Sequence, residues 1–208
     1  TYTAVRGVWE ALCGNAAEAR TAAGAALELS TARDVEYAAG MALALSGSSA
    51  RAEGLAADLV KRFPADTFVS FTYAPVLRAL ASQGTGKIVE SIERLETARS
   101  YELAVNGLNF PYPLFGGLHS TYLRGQAFLA LHKYTEAAAE FQKILDHRGA
   151  VGLDPIGTLA HLQLGRALAL LGEKAKAKAS YEAFLTRWKD ADPDVPILKS
   201  ARAEFAKL

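Results

Sequence analysis

Cysteine is nearly absent from this chain of 208 residues: Cys13 is the only one, so no disulfide can form within it. An excess of one charge is missing too, because 23 lysines and arginines balance 22 aspartates and glutamates, for a net charge of +1. A dedicated nucleic-acid surface usually shows a basic excess. No apolar run reaches the about 18 residues of a membrane-spanning helix, and no signal-peptide pattern is found. We therefore expect neither nucleic-acid binding nor a membrane span in this chain.

Runs of Val, Ile and Thr with period-two alternation are also nearly absent, whereas alanine and leucine, both strong helix formers, are frequent. The sequence therefore predicts an all-α protein. Half of its residues are hydrophobic, which is enough for one elongated domain or two small ones. The chain starts at Thr1 inside a predicted helix, so we expect it to be part of a longer protein.

One pattern occurs twice, at residues 122–145 and 162–185. Each copy has a small residue early in a first helix, an apolar residue one turn later, a turn, a small residue in a second helix and an aromatic one turn beyond. The matching pairs are Gly125 and Gly165, Phe128 and Leu168, Ala137 and Ala177, and Phe141 and Tyr181. A helical hairpin that repeats in this way indicates an α-solenoid.

The pattern extends towards the start of the chain, where Gly7 and Gly40 are 33 residues apart, close to the ~34 of a tetratricopeptide repeat. We expect small residues to let the two helices of a hairpin approach, glycine facing alanine, with Phe141 and Tyr181 filling the groove towards the neighbouring hairpin. The predicted hairpins pair residues 2–12 with 16–29, 32–45 with 49–63, 66–82 with 87–99, 113–131 with 135–147, and 155–171 with 174–188.

The third hairpin departs from the pattern, because Pro75 is expected to kink its first helix. Residues 100–118 follow as an irregular loop rich in glycine, proline and aromatics. The predicted organisation is therefore hairpins 1–3 in residues 1–99, the loop 100–118, and hairpins 4–5 in residues 119–208, as one continuous right-handed superhelix. A final amphipathic helix, residues 195–207, is expected to cap the last repeat.

The chain resembles the tetratricopeptide repeat family, most clearly from Tyr122 onwards. The phrases LAADLVKRFPADTFV (55–69) and RLETARSYEL (94–103) and the segment 139–208 resemble the C-terminal repeat region of acidobacterial signalling proteins. In those proteins the region follows a serine/threonine kinase domain or a winged-helix DNA-binding domain. The resemblance implies a regulatory or partner-binding role, because the kinase motifs themselves are not in this chain.

Candidate catalytic chemistry is sparse. None of the histidines, His119, His132, His147 and His161, has a neighbour at metal-ligand spacing. Asp190, Asp192 and Asp194 alternate like the start of a calcium loop, but the glycine and glutamate that such a loop needs are replaced by Val195 and Ala201. Cys13 is expected to be an inert thiol. We expect no catalytic residue, no cofactor and no metal.

The register instead predicts a groove lined by first helices. The mixed polarity of its residues favours a peptide or protein segment over an apolar small molecule. Two alternatives stay open: a self-association module that makes a homo-oligomer, and an enzyme with its site at the loop 100–118, where Phe110, Tyr112, Phe115 and Tyr122 either pack the loop down or form a ligand site. The predicted groove residues are Asp34, Tyr37, Met41, Tyr73, His119, Tyr122, Gln126 and Arg166.

Overall fold

The computed structural model of this chain describes residues 1–104 and 117–208. Within these ranges the protein has twelve α-helices and no strand, so the all-α prediction is confirmed. The helices are α1 (Tyr2–Cys13), α2 (Ala16–Leu29), α3 (Arg33–Leu45), α4 (Ser49–Arg62), α5 (Ala74–Gly84), α6 (Ile88–Glu96), α7 (His119–Ala130), α8 (Tyr134–Asp146), α9 (Arg148–Val151), α10 (Ile156–Leu170), α11 (Lys174–Arg187) and α12 (Pro196–Phe205).

The chain forms two compact units, Thr1–Glu102 (unit 1) and Leu103–Leu208 (unit 2). In unit 1, α1 pairs with α2, α3 with α4, and α5 with α6. Each first helix also packs on the next first helix, α1 on α3 and α3 on α5, and each second helix packs on the first helix that follows it. This packing order is that of stacked helical hairpins. Because α3 has neighbours on several sides, its residues from Val35 to Ala44 are all buried.

Unit 2 repeats this order with α7 paired to α8 and α10 paired to α11, while α10 packs on both α7 and α8. The connection between the two hairpins holds the short helix α9, which contacts α8 and α10 and which the sequence pattern did not predict. The last helix, α12, packs on α11 and buries Leu198 and Ala201. The chain is therefore a helical-repeat protein in both units.

The repeated glycines lie where one helix of a hairpin approaches the other. A Cβ atom at Gly125 would lie 2.7 Å from the ring of Phe141, and one at Gly165 would lie 2.8 Å from the ring of Tyr181. At Gly165 the expectation that alanine faces the glycine holds, since the carbonyl of Ala177 lies 3.4 Å from the Cβ position. The ring of Tyr181 also reaches the following helix, with 6.2 Å between its centroid and that of Phe205. The ring packs on the glycine of its own hairpin, because only a residue without a side chain leaves room for it.

The irregularity expected at Pro75 takes the form of a π-helical turn, Val69–Tyr73, directly before α5. There the N–H of Ala74 donates to the carbonyl of Val69, five residues back. In a regular α-helix the proline ring would clash with the carbonyl of Phe71, four residues earlier. The wider π turn relieves that clash, so the helix continues through the proline.

Other boundaries agree with prediction to within about two residues, which is the usual scatter at helix ends, with two exceptions. The second helix of hairpin 3 ends at Glu96, and a 3₁₀ turn, Arg99–Tyr101, follows it. The first helix of hairpin 4 was expected from Pro113, but α7 begins at His119. Residues 113–116 lie outside the described part of the chain.

The close approach at Gly125 can be tested by adding one methyl group. Gly125→Ala would force the ring of Phe141 to move and is expected to cost about 1–3 kcal/mol of unfolding free energy. Gly54→Ala in α4 is the matched control, because a Cβ there meets nothing within 4 Å. It should stabilise the protein by about 0.5–1 kcal/mol, since alanine is the better helix former. Urea denaturation of both variants measures the difference, and equal stabilisation by both would contradict the packing described.

Candidate functional site

The predicted groove residues occupy equivalent positions relative to the repeated glycines. Asp34 lies six residues before Gly40, Tyr37 lies three residues before it, and Met41 directly follows it. His119, Tyr122 and Gln126 stand in the same relation to Gly125, and Arg166 directly follows Gly165. Since the spacing i, i+3, i+7 places side chains on one face of a helix, each set lies on one face of α3 or α7.

In unit 1 the structure brings three predicted residues together. The rings of Tyr37 and Tyr73 stack in parallel, with 3.9 Å between their centroids. The hydroxyl of Tyr73 donates to Oδ1 of Asp34 at 2.8 Å. Arg33 joins from the same helix as Asp34, with Nε at 3.0 Å from Oδ1 of Asp34, and its Nη1 pairs with Asp66. We call Arg33, Asp34, Tyr37, Asp66 and Tyr73 the tyrosine cluster.

The charges of the tyrosine cluster fix its protonation at neutral pH. Burial raises the pKa of Tyr73 above its usual range, and the carboxylate of Asp34 raises it further. The pKa of Arg33 is raised overall. Burial lowers it, but the hydrogen bonds from Arg33 to Asp34 and Asp66 have the larger effect. The pKa of Asp66 is lowered overall. Burial raises it, but the hydrogen bond from the N–H of Val69 and the guanidinium of Arg33 have the larger effect. Tyr73 is therefore a neutral donor beside an ionised Asp66 and a charged Arg33.

In unit 2 a second polar cluster surrounds the predicted residue Arg166. Its Nε and Nη2 atoms donate to the two carboxylate oxygens of Glu204, both at 2.8 Å. The hydroxyl of Tyr181 donates to Oε2 of Glu204 at 2.8 Å. Nη1 of Arg166 lies 3.3 Å from Oε1 of Gln163, whose amide nitrogen donates to the hydroxyl of Tyr122 at 3.2 Å. We call Tyr122, Gln163, Arg166, Tyr181 and Glu204 the arginine cluster.

The pKa shifts in the arginine cluster follow from its ion pair. Burial raises the pKa of Glu204, but the hydrogen bonds from Arg166 and Tyr181 outweigh burial and lower it. Burial raises the pKa of Tyr181 above its usual range, and its hydrogen bond to Glu204 adds to the rise. A carboxylate held ionised by three donors is a poor general acid or base at neutral pH. The arrangement is suited to recognising charged groups rather than to proton transfer.

Most of the predicted groove residues are buried. Tyr37, Met41, Tyr73, His119 and Tyr122 each expose 5% or less of their surface. The remaining three predicted residues keep part of their surface accessible: Asp34, Gln126 and Arg166. Those three are the predicted residues whose surface stays accessible, while the buried tyrosines contact the polar groups beside them.

The sequence pattern did not predict several polar contacts that the groove residues and their neighbours make. His119 Nε2 lies 3.1 Å from Oδ2 of Asp154, and both side chains are buried. Arg124 is fully buried and pairs with Glu140 through two hydrogen bonds of 2.9 and 2.7 Å. A signal for this pair was available, because Arg124 stands at the position that the next hairpin fills with Leu164. A charge in an apolar register predicts a buried partner.

The remaining candidates have simple physical accounts. Burial, helped by the nearby charge of Glu10, raises the pKa of the Cys13 thiol to about 11, so the thiol is protonated and unreactive at neutral pH. In the described parts of the chain no group of three His, Cys, Asp or Glu side chains is placed to hold a metal ion. No helix there is long and apolar enough to cross a bilayer. Phe110, Tyr112 and Phe115 of the predicted loop site lie outside the described residues.

Comparison with known proteins gives no family for this chain. No protein-family model matches the sequence, and no curated protein matches it.

His161 makes the stability of unit 2 depend on pH. Burial, and the charges of Arg187 and Arg148, lower its pKa from 6.5 to about 4, and its Nε2 is buried with no hydrogen-bond partner in the described structure. Because the unfolded chain binds this proton more readily than the folded one, stability falls as the pH drops below 6.5 and levels off below about 4.

His161→Gln should therefore lose less stability than the wild type between pH 7 and pH 4.5, the range in which the unfolded chain gains this proton. Melting temperatures at the two pH values measure the loss, and His147→Gln, at an exposed histidine, is the control that should behave as the wild type. Equal losses for the wild type and His161→Gln would show that this histidine is not shielded from protonation.

Proposed function

We propose that this chain is a tetratricopeptide-type protein-binding module that binds a peptide or protein segment along the first helices of its hairpins. The module acts without catalysis, as the recognition part of a larger bacterial signalling protein. This proposal unites the repeat pattern, the resemblance described above and the polar residues that stay accessible on α3, α7 and α10.

One observation carries the proposal. In both units the tyrosine three residues before a repeated glycine contacts the next first element of the stack: Tyr37 stacks on Tyr73, and Tyr122 accepts a hydrogen bond from Gln163. Partly exposed charges stand directly beside these contacts, Asp34 in unit 1 and Arg166 in unit 2. Tyrosine and arginine are frequent anchors of protein interfaces.

The rigidity of these groups supports binding rather than chemistry. Tyr73 holds Asp34, and Gln163 contacts Arg166, so these accessible side chains lose little rotamer freedom when a partner binds. Each immobilised side chain would otherwise cost about 0.5–1.5 kcal/mol of binding free energy. A segment with hydroxyl, amide or charged groups fits this surface better than an apolar small molecule does.

The test is recovery of partners by the tagged full chain from a lysate of the source organism, quantified by mass spectrometry. The Asp34→Ala/Gln126→Ala double variant should recover its specific partners about tenfold less well, which corresponds to the loss of one interface anchor. Glu28→Gln/Glu182→Gln, two exposed residues on the second helices α2 and α11, is the matched control and should recover them like the wild type.

Two outcomes would contradict this function. If both double variants keep their melting temperatures and recover every partner as the wild type does, the first-helix faces do not bind. If light scattering shows a dimer that the Asp34→Ala/Gln126→Ala variant converts to a monomer, with no other protein recovered, the faces serve self-association instead.

A further inference from the structure

Two hairpins, one in each unit, match residue by residue. They are the hairpin of α3 and α4 around Gly40 and the hairpin of α10 and α11 around Gly165. In both, the first helix ends five residues after the glycine, and the second helix starts nine residues and ends 22 residues after it. Residues at equal distances from the two glycines therefore hold equivalent places, and a difference between them shows what one hairpin lacks.

In unit 1 the last residue of α4, Arg62, has an acceptor at each of its three nitrogens. Nε donates to Oδ2 of Asp58 at 2.6 Å, and Nη1 donates to the carbonyl of Thr31 at 2.9 Å. Nη2 pairs with the carboxylate of Glu36, which is buried. One guanidinium therefore lies between two carboxylates of its own chain.

The equivalent arginine of unit 2 lacks both carboxylates. Arg187 is the last residue of α11, but His161 stands at the place of Glu36 and Ala183 at the place of Asp58. Within the described part of the chain Arg187 makes no ion pair, and its Nη1 donates to the carbonyl of Ala183 at 2.8 Å. Its side chain is exposed. Unit 2 therefore keeps the positive group of this arrangement without the negative ones.

A second arginine adds to the positive charge. Arg148 is the first residue of α9, which packs on α10, and its side chain is exposed. Burial lowers the pKa of His161, and the nearby charges of Arg187 and Arg148 lower it further, with no carboxylate of the described residues offsetting them. Nε2 of His161 is buried and has no hydrogen-bond partner in that part of the chain. A buried polar atom without a partner calls for an explanation, and a missing anion supplies one.

We propose that His161, Arg148 and Arg187 form a binding site for a dicarboxylate. The ligand supplies the two carboxylates that are built into unit 1 as Glu36 and Asp58. An arginine guanidinium matches a carboxylate through two parallel hydrogen bonds, and the imidazole adds a donor beside it. The carboxylates belong to a small dicarboxylic acid or to neighbouring acidic side chains of a protein, and the same groups recognise them in both cases.

This site goes beyond the proposed binding function and uses another face of the same helix. His161 and Arg166 are five residues apart on α10, so their side chains point roughly 140° apart around the helix axis. Arg166 belongs to the predicted groove, whereas His161 lies near the arginines of α9 and α11. The dicarboxylate site therefore stands or falls independently of partner binding along the first helices.

The experiment is an NMR titration of the full chain with sodium succinate at neutral pH and constant ionic strength. The Cε1–H signal of His161 and the backbone amide signal of residue 187 should shift together and saturate. The expected dissociation constant is on the order of millimolar, because exposed arginines are screened by solvent. His132, an exposed histidine in the turn after α7, is the internal control, and its ring signals should not move.

Variants assign the binding to the named side chains. Arg187→Gln and Arg148→Gln should each weaken succinate binding about tenfold, because each removes one charge-assisted donor. Both arginines are exposed, so these variants test binding and not folding. Lys178→Gln, at an exposed lysine of α11, is the matched control and should bind as the wild type does. His161→Glu/Ala183→Asp rebuilds the carboxylates of unit 1 and should abolish binding, because the chain then fills the site itself.

Two further probes define the ligand. Inorganic phosphate should bind about tenfold more weakly than succinate, since it cannot place two separate carboxylates. An acetylated diglutamate amide distinguishes the two sources: tighter binding than succinate assigns the ligand to an acidic protein segment, and equal or weaker binding assigns it to a small dicarboxylic acid.

The site is overturned if the shifts do not saturate, if the ring of His132 responds as His161 does, or if Arg187→Gln binds succinate like the wild type. Phosphate binding as tight as that of succinate would overturn the dicarboxylate as the ligand. None of these results bears on the proposed function, because partner recovery through Asp34 and Gln126 is measured without these probes. Normal succinate binding with no partner recovered by any form would contradict the proposed function and not the site.

Discussion

The fold of unit 2 depends on contacts between a glycine of one helix and an aromatic ring of the next. No side chain larger than a hydrogen fits at position 125 or 165, because the rings of Phe141 and Tyr181 already lie within 3 Å of where a Cβ would be. The contact sets the distance between the two helices of each hairpin of unit 2. It also fixes the register of the hairpin, since sliding either helix by one residue would place a Cβ against the ring. The arginine cluster is built on that register.

Both clusters lie at fixed positions relative to the repeated glycines. Tyr37 and Tyr122 lie three residues before a repeated glycine, so each points from a first helix towards the first helix of the next hairpin. Because those tyrosines are buried, their hydroxyl groups and those of their neighbours need polar partners. The charged residues that stand beside them therefore serve two purposes. They satisfy buried polar atoms, and they supply the accessible edge that the proposed binding function uses.

The hairpins could be predicted from sequence because their spacing is local: glycine, alanine and aromatic recur within about one repeat. The π turn before Pro75 and the helix α9 could not, because both replace segments in which the repeat pattern stops. The face of α3 and α7 on which the predicted residues lie also followed from spacing. Their burial did not, since it depends on helices distant in sequence. Glu204 was missed for the same reason, because 38 residues separate it from Arg166 and nothing in the repeat register links the two.

The π turn at Val69–Tyr73 also bears on how chain length varies in such proteins. Its hydrogen-bonded ring spans one more residue than an α-helical ring does, so the helix takes in an additional residue while continuing without a loop. A change of one residue in length is thereby confined to a single turn, and the packed glycine at position 40 keeps its place against Leu77 on α5. A helix of a hairpin can in this way hold one more residue without interrupting its packing.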